Sequence, residues 1–438
     1  MRLRTFALAG LGLSFVGGSA AEVAPHVVQA RDIVAASNRI AADAPLTDMQ
    51  TSLRMALAAE GLILEGFAID GDAAQIQVQN ERWDKTAQAA GRAARVMANT
   101  LPAGTENLTV TLQEDGVPIT DIRTKRSSLQ ELQFDYDGAW RTLAQAQIGD
   151  ADGPPTGAPR LTYSLGAFAD LTLADPEGKA RASIGPQFDV AYRAAPGLTF
   201  SGQFRYALLG NADEAADAVQ SGLDPVRTGF GQYARAADFE VTRLTARYLF
   251  RPGPDLFGRV TAGYLEDMFG GVSTEVLWYP NDSRLALGAE LNYVQQRDFD
   301  QLFGFQDYDV LTGHASAYYD FSRGYSAQLD LGRYLAGDWG GTFSVDRVFG
   351  NGISVGAFVT RTDASFEDFG KGSFDKGVRI ALPLSVITGR PSRRRFEQTI
   401  RPALRDGGAR LDIDERLFGT VRDYRGIGLT DDWGSYLQ

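Results

Sequence analysis

The sequence predicts a mainly β fold: a transmembrane antiparallel β-barrel of about twelve strands, preceded by a small periplasmic α+β domain and followed by an arginine-rich tail. Three observations predict it. Between Leu161 and Val386 apolar and polar residues alternate, as in Leu285, Leu287, Ala289, Leu291 and Tyr293 interleaved with Ala286, Gly288, Glu290 and Asn292. The connections between these runs are alternately very short and longer. Beyond the N-terminus no apolar stretch of about 18 residues exists to cross a bilayer as a helix, whereas runs of about 8 to 13 residues suit tilted strands.

The elements follow in order. Arg2 and Arg4, the apolar stretch Phe6 to Val16 and the small residues Gly17 to Ala21 read as a secretory signal cut after Ala21. Residues 22–45 carry no pattern. Residues 46–149 form the α+β domain, in the order αββαββ. Thr47 caps a helix through Gly61 carrying Leu53, Met55 and Leu57, and the alanine-rich run from Trp83 to Leu101 stops before Pro102. The strand pairs are Leu62 to Ile69 with Ala74 to Val78, and Leu108 to Leu112 with Ile119 to Thr124, turning at Asp70-Gly71-Asp72 and Asp115-Gly116. Residues 150–159, rich in Gly and Pro, read as a linker.

Residues 160–388 are the expected barrel. Its strands lie near Leu161 to Leu173, Ile184 to Tyr192, Leu198 to Leu208, Val241 to Phe250, Leu256 to Leu265, Val272 to Tyr279, Leu285 to Gln295, Leu311 to Phe321, Tyr325 to Leu335, Thr342 to Phe349, Ile353 to Arg361 and Phe374 to Val386. Tight turns follow the even strands, at Ala195-Pro196-Gly197, Pro252-Gly253-Pro254, Asn281-Asp282, Arg323-Gly324 and Gly350-Asn351-Gly352. Longer loops follow odd strands, notably Gly210 to Asp238, Arg297 to Asp309 and Asp363 to Ser373. Outer-membrane barrels have short periplasmic turns, so this parity places the α+β domain and the tail, 389–438, in the periplasm. Asp375 to Leu382 looks like the β-signal that marks a last strand, leaving the tail free to enter the lumen or reach periplasmic partners.

The absence of cysteine excludes disulfides and thiolate metal sites. With 43 basic and 55 acidic side chains the net charge is -12, which argues against a nucleic-acid partner. The tail runs against this balance, with arginines at 390, 393, 394, 395, 401, 405, 410, 416, 422 and 425. It reads as a solvated segment or as one that docks on an acidic partner or polymer.

Outward faces carry Tyr163, Tyr192, Tyr206, Tyr248, Tyr264, Trp278, Tyr293, Tyr319 and Tyr325 as an aromatic girdle. The opposite faces collect Arg205, Arg243, Arg247, Arg259, Glu275, Glu290, His314, Asp330 and Arg379. In lipid each basic residue near the midplane would cost about 2–4 kcal/mol, so these side chains belong in the lumen. The lumen is either an aqueous pore, where the arginines favour acidic sugars, or an interior filled by ion pairs. Loop aromatics Phe299, Phe303, Phe305, Tyr308, Trp339, Phe366 and Phe369 stand among carboxylates and suit glycan contact, or they pack on the barrel mouth.

Catalysis is not expected. His314 and Ser316 share a strand face with Asp320, yet two positions along a strand place Cα atoms about 7 Å apart, marginal for a nucleophile and its base. His26 lies in a segment without a pattern, and no phosphate loop, metal cluster or cofactor motif appears.

Between Trp278 and Leu384 the runs WYPNDSRLALGAELNYVQQRDFDQLFGFQDYDVLTGHASAYYD, LGRYLAGDWGG and NGISVGAFVTRTDASFEDFGKGSFDKG, with RPALRDGGARL beyond them, resemble the YjbH family of outer-membrane exopolysaccharide (capsule) biosynthesis proteins. The resemblance covers the barrel and tail and extends more weakly to Gly66 to Asp72 and Trp83 to Thr100. It implies a barrel in the outer membrane of a Gram-negative bacterium, acting in polysaccharide secretion or assembly. Its implied partners are the exopolysaccharide chain, outer-membrane lipids and other secretion proteins. Longer members have a first barrel ahead of the α+β domain, whereas the region before Leu46 is too short for one, so a separate barrel protein is expected to supply that half. Lipoprotein members also need a cysteine that this chain lacks. Three functional classes stand: a conduit or gating element, a plugged docking barrel that recruits other export components, and, least favoured, a lipid- or glycan-modifying enzyme.

Overall fold

The computed structural model describes residues 46–172, 179–215, 222–321, 323–365 and 374–438. The expected signal segment, residues 22–45, Phe366 and Phe369 lie outside them. The first unit runs α1 (Leu46–Ala59), β1 (Leu62–Asp70), β2 (Ala73–Asn80), α2 (Thr86–Thr100), β3 (Asn107–Glu114), β4 (Val117–Lys125), α3 (Arg126–Leu132), α4 (Gly138–Gln145) and β5 (Gln147–Asp150). The sheet order is β1-β2-β3-β4-β5, with β2 and β3 parallel and the other pairs antiparallel. A parallel pair needs a crossover, and α2 supplies it. Leu53, Leu57, Ile76, Val78, Val110 and Leu112 are buried between sheet and helices.

The six elements expected in this unit are present, and α3, α4 and β5 are added to them. These three are short, 7, 8 and 4 residues, and neither helix N-cap has a side-chain hydrogen bond, so they lack the local signals by which such elements are read. The β3–β4 hairpin turns at Asp115 (φ 49) and Gly116 (φ 83), both in the left-handed region that tight hairpins need.

The second unit is one sheet with thirteen strands in its path: β6 (Arg160–Thr172), β7 (Arg181–Ala195), β8 (Leu198–Tyr206), β9 (Phe239–Gly253), β10 (Leu256–Tyr264), β11 (Phe269–Trp278), β12 (Leu285–Arg297), β13 (Phe305–Asp320), β14 (Tyr325–Arg333), β15 (Trp339–Val348), β16 (Ser354–Thr362), β17 (Asp375–Pro383) and β18 (Arg395–Ile400). The two-residue strand Leu209–Gly210 also pairs with β7. Each ladder joins chain neighbours antiparallel, so the sheet is an up-and-down meander rolled into a nearly closed barrel.

All twelve expected runs coincide with strands, but the Asp375 run is penultimate rather than last. The chain turns through a short helix (Leu384–Thr388) and Gly389 (φ 67), and β18 then pairs with β17. Its six residues, RFEQTI, begin within the Arg390–Arg395 cluster and are too few and too charged to stand out from the tail.

With thirteen strands the two edges, β6 and β18, run the same way, and no ladder joins them. Gln398 Nε2 donates to Leu171 O across the gap at 3.0 Å. Outside, Leu285, Leu287, Leu291, Tyr293, Leu311, Leu329 and Leu331 are exposed, while alternate residues Ala286, Glu290, Asn292, Val294 and Asp330 are buried. All the expected girdle residues except Tyr264 are exposed outward. Among the described residues no helix is long and apolar enough to cross a membrane.

The α/β unit lies against the end of the barrel that carries the tight turns. Gly197 N donates to Asp115 O at 2.7 Å and Leu249 N to Gly197 O at 2.8 Å. Asp115 also accepts from Thr199 Oγ1 at 3.1 Å and pairs with Arg247. A Cβ on Gly116 would sit 2.7 Å from Thr156 O and 3.0 Å from Pro196 Cα, so only glycine fits where this hairpin meets the barrel turn.

Candidate functional site

Strand register builds the lumen wall. Arg259 pairs with Glu275, Glu275 with Glu290, and Glu290 with His314, so one inward row of four ionisable side chains crosses β10 to β13. All four are buried. In an apolar interior such a row would be prohibitive, since buried charges need partners. The tail provides them.

After β18 the chain descends through the barrel. Near the loop end, Arg401 Nε lies 3.3 Å from Asp375, and Asp406 accepts from Thr228 Oγ1 at 2.6 Å and from the Arg227 and Thr228 amides. Ala409 O accepts from Leu335 N at 2.9 Å. At mid-lumen Arg410 lies 2.9 Å from Asp330 and 3.7 Å from Glu290, and Arg416 lies 3.2 Å from Glu290. Leu417 N donates to Glu275 at 3.1 Å. Lower down, Arg422 meets Asp320 at 2.8 Å, Tyr424 donates to Glu114 at 2.5 Å, and Arg425 pairs with both Asp150 and Asp255. The segment ends inside the α/β unit, where the buried rings of Trp433 and Tyr436 stack at 4.3 Å and Arg95 donates to Tyr436 O at 3.0 Å. Helix α2 can lie this close because Gly91 has no side chain: a Cβ there would be 1.7 Å from Tyr436 O.

Most of the tail arginines are therefore not a free basic surface. Arg410, Arg416, Arg422 and Arg425 are spent on carboxylates of the lumen wall and of the α/β unit, which explains a basic tail on an acidic protein. The same holds for the expected lumen cations. Arg205 pairs with Asp170 at 2.9 Å, Arg243 with Asp412 at 2.9 Å and with Asp414, and Arg247 with Asp115 and with Glu415 at 2.5 Å. Arg259 pairs with Glu275 at 3.0 Å and Arg379 with Asp346 at 2.8 Å. The nine expected residues do line the inward face, eight of them in ion pairs and His314 against the Tyr334 ring.

His314 stacks edge-on against Tyr334, centroids 4.7 Å apart, and Ser316 Oγ donates to Asp330 at 2.5 Å instead of to the imidazole. The contact required of a nucleophile and base is not made. Of the loop aromatics, Phe299 packs edge-on against Tyr233 at 5.1 Å, Phe305 stacks on Tyr264 at 5.5 Å, and the Tyr308 hydroxyl donates to Leu335 O at 2.5 Å. These three pack on the mouth, whereas Phe303 and Trp339 are largely exposed.

At the tail's two ends the environment sets charge states. Burial pushes the Glu114 carboxyl up, but the Arg393 charge and hydrogen bonds from Arg393 and Tyr424 outweigh it and hold it below the usual carboxylate range. Burial, with Asp423 nearby, pushes Asp432 up to about 6, against the weaker pull of Lys85. A raised folded-state value means that the contribution of Asp432 to docking is full below pH ~4 and is lost as pH rises through ~6. Acrylamide should then quench Trp433, as the only tryptophan kept, more at pH 7.5 than at pH 5, and Asp432→Asn should remove the difference. Equal quenching at both pH values in the parent protein would contradict this assignment.

A family model described as "Exopolysaccharide biosynthesis protein YbjH" matches residues 13–423. The "Uncharacterized lipoprotein YjbH" of Escherichia coli (strain K12) is 30% identical over 368 residues, which is 81% of this chain and 53% of that protein. The chain thus spans about half the length of this curated relative. A solved structure, "Crystal structure of Acinetobacter baumannii OccAB2", overlaps 60% of this chain and 80% of its own at 9% identity and a TM-score of 0.25.

Proposed function

The chain belongs to the YjbH family of exopolysaccharide biosynthesis proteins, and from that premise we propose that it is an outer-membrane barrel whose tail gates a polysaccharide conduit. The observation that carries the reading is the path of residues 401–438, which thread the lumen end to end and anchor in the α/β unit. The exposed apolar belt around a charged interior supports the membrane placement, since a water-soluble protein rarely shows so large a contiguous apolar surface. A gate must be removable. The tail is held both by ion pairs and by buried apolar contacts, Leu411 and Ile413 near the loop end and Leu417 and Val421 below mid-lumen, so opening takes work to part them. The α/β unit grips the lower end of the tail, so a pull on that unit is transmitted into the lumen. The role requires no chemistry of the protein's own.

The same plug supports the second reading, a permanently closed barrel that recruits the exporter through its α/β unit. Single-channel recording separates the two. The full chain should be nearly silent in planar bilayers, and a variant lacking residues 402–438 should show steady conductance while keeping barrel insertion. Silence in the inserted truncated barrel would reject the conduit and leave the docking role. Comparison of surface polysaccharide between a deletion strain and its complement tests the assignment to export as such.

A further inference from the structure

The tail does not fill the lumen. Beside it remains a cavity of about 1160 Å³, bounded on one side by β16, β17 and β18. On β16 the inward residues are Ser354, Gly356, Phe358, Thr360 and Thr362, so Phe358 is a lone ring on an otherwise small or polar face. It packs against Gly377, where a Cβ would come within 2.6 Å of a ring carbon, and it lines the cavity.

The guanidinium groups of Arg379 and Arg401 lie 5.8 and 5.2 Å from the Phe358 ring centre. Among the described residues each makes one carboxylate contact, to Asp346 and Asp375 respectively, and each side chain is about two-fifths exposed, at 39% and 42%. A guanidinium has five N–H donors, so donors remain for a ligand. Phe168, across the gap on β6, also lies beneath an arginine, Arg205, but is only 5% exposed, whereas Phe358 is half-buried and keeps part of its ring open to the cavity.

Charge decides what this wall suits. Asp346, Asp375 and the exposed Glu397 balance Arg379, Arg401 and Arg405, which also acts on Asp375, so no net positive charge draws in a polyanion. An uncharged sugar ring does gain, because its apolar face covers Phe358 while its hydroxyls accept from the arginines and donate to Glu397. We propose that this wall is a subsite for an uncharged pyranose unit of a polysaccharide, stacked on Phe358 and held by Arg379, Arg401 and Glu397. The proposal rests on the exopolysaccharide reading and replaces the acidic sugar that inward arginines alone would favour.

The test is saturation-transfer NMR and affinity titration of the full chain in detergent micelles, with maltohexaose and isomaltohexaose as uncharged probes and a galacturonate hexamer as the acidic one. An uncharged hexamer should bind in the millimolar range and the acidic one more weakly. Phe358→Leu and the double variant Arg379→Gln/Arg401→Gln should each weaken binding about tenfold, and Phe358→Tyr, which keeps the ring, by less than about threefold. Heat-modifiable mobility on gels verifies that each variant is a folded barrel. Tighter binding of galacturonate, unchanged affinity in both Phe358→Leu and the arginine variant, or no binding of either uncharged hexamer would each overturn the subsite. Surface polysaccharide in the deletion strain is a separate readout: its loss alongside failed binding rejects the subsite alone, and its persistence rejects the export reading.

Discussion

Replacing Trp433 with alanine is expected to loosen the tail's anchor by about 3–5 kcal/mol, the range for truncating a fully buried large aromatic. Trp433 is 0% exposed, lies nearly parallel to Tyr436, and directs its indole N–H at Thr142 Oγ1, 3.4 Å away. It belongs to the same buried cluster as Ala90, Ala94 and Met97 of α2, so its removal leaves a void among buried side chains. Protease sensitivity of residues 426–438 during a urea titration measures the effect: in Trp433→Ala the tail end should be cut at clearly lower urea while the barrel persists. Gly91→Ala should act in the same direction from the other side, since its new methyl would collide with Tyr436 O. If both variants retain the parent's protease profile, the tail is not held where the structure places it.

The barrel strands were legible in the sequence because alternation is a local signal: Leu285 to Gln295 declares its two faces within eleven positions, and the observed β12 exposes and buries the same residues. The site was legible only by half. That Glu275, Glu290 and Asp330 point inward follows from the same alternation, but what meets them does not. Arg425 and Asp150 are 275 residues apart, and Arg416 and Glu290 are 126 apart, and no periodicity links such distant positions. Read alone, the inward arginines suited an open pore or an ion-paired interior equally, and the tail arginines a solvated or docking segment; the structure pairs the inward arginines and most of the tail arginines with carboxylates. One clue was present, a tail rich in arginine beside lumen faces rich in carboxylates, a complementarity of charge with no preferred register. The strand β18 escaped notice for the opposite reason, being too short for alternation to accumulate.

Replacing Glu290 with alanine is expected to release the mid-lumen part of the tail and to raise conductance, the largest effect of any single lumen substitution. Glu290 is the carboxylate that meets two tail arginines at mid-lumen, Arg416 at 3.2 Å and Arg410 at 3.7 Å, with Arg259 of the wall at 4.0 Å and Asn292 donating at 3.1 Å. Loss of the carboxylate leaves the three cations unequal. Arg410 keeps Asp330 and Arg259 keeps Glu275, but Arg416 retains only a backbone acceptor, Leu411 O at 2.7 Å. Removing one partner of a buried ion pair costs about 3–5 kcal/mol, because the other charge is stranded. By contrast the tail's Asp423, half-exposed and 3.9 Å from Arg395, belongs to the class worth about 0–1 kcal/mol. Glu290→Ala should therefore produce frequent long openings in planar bilayers and Asp423→Asn should not. Glu290→Gln should fall between them, since an amide oxygen still accepts from Arg416 without neutralising it. Equal silence in all three variants would mean that the plug is held by its two ends alone, and that the ionic row across β10 to β13 stabilises the wall without governing the passage.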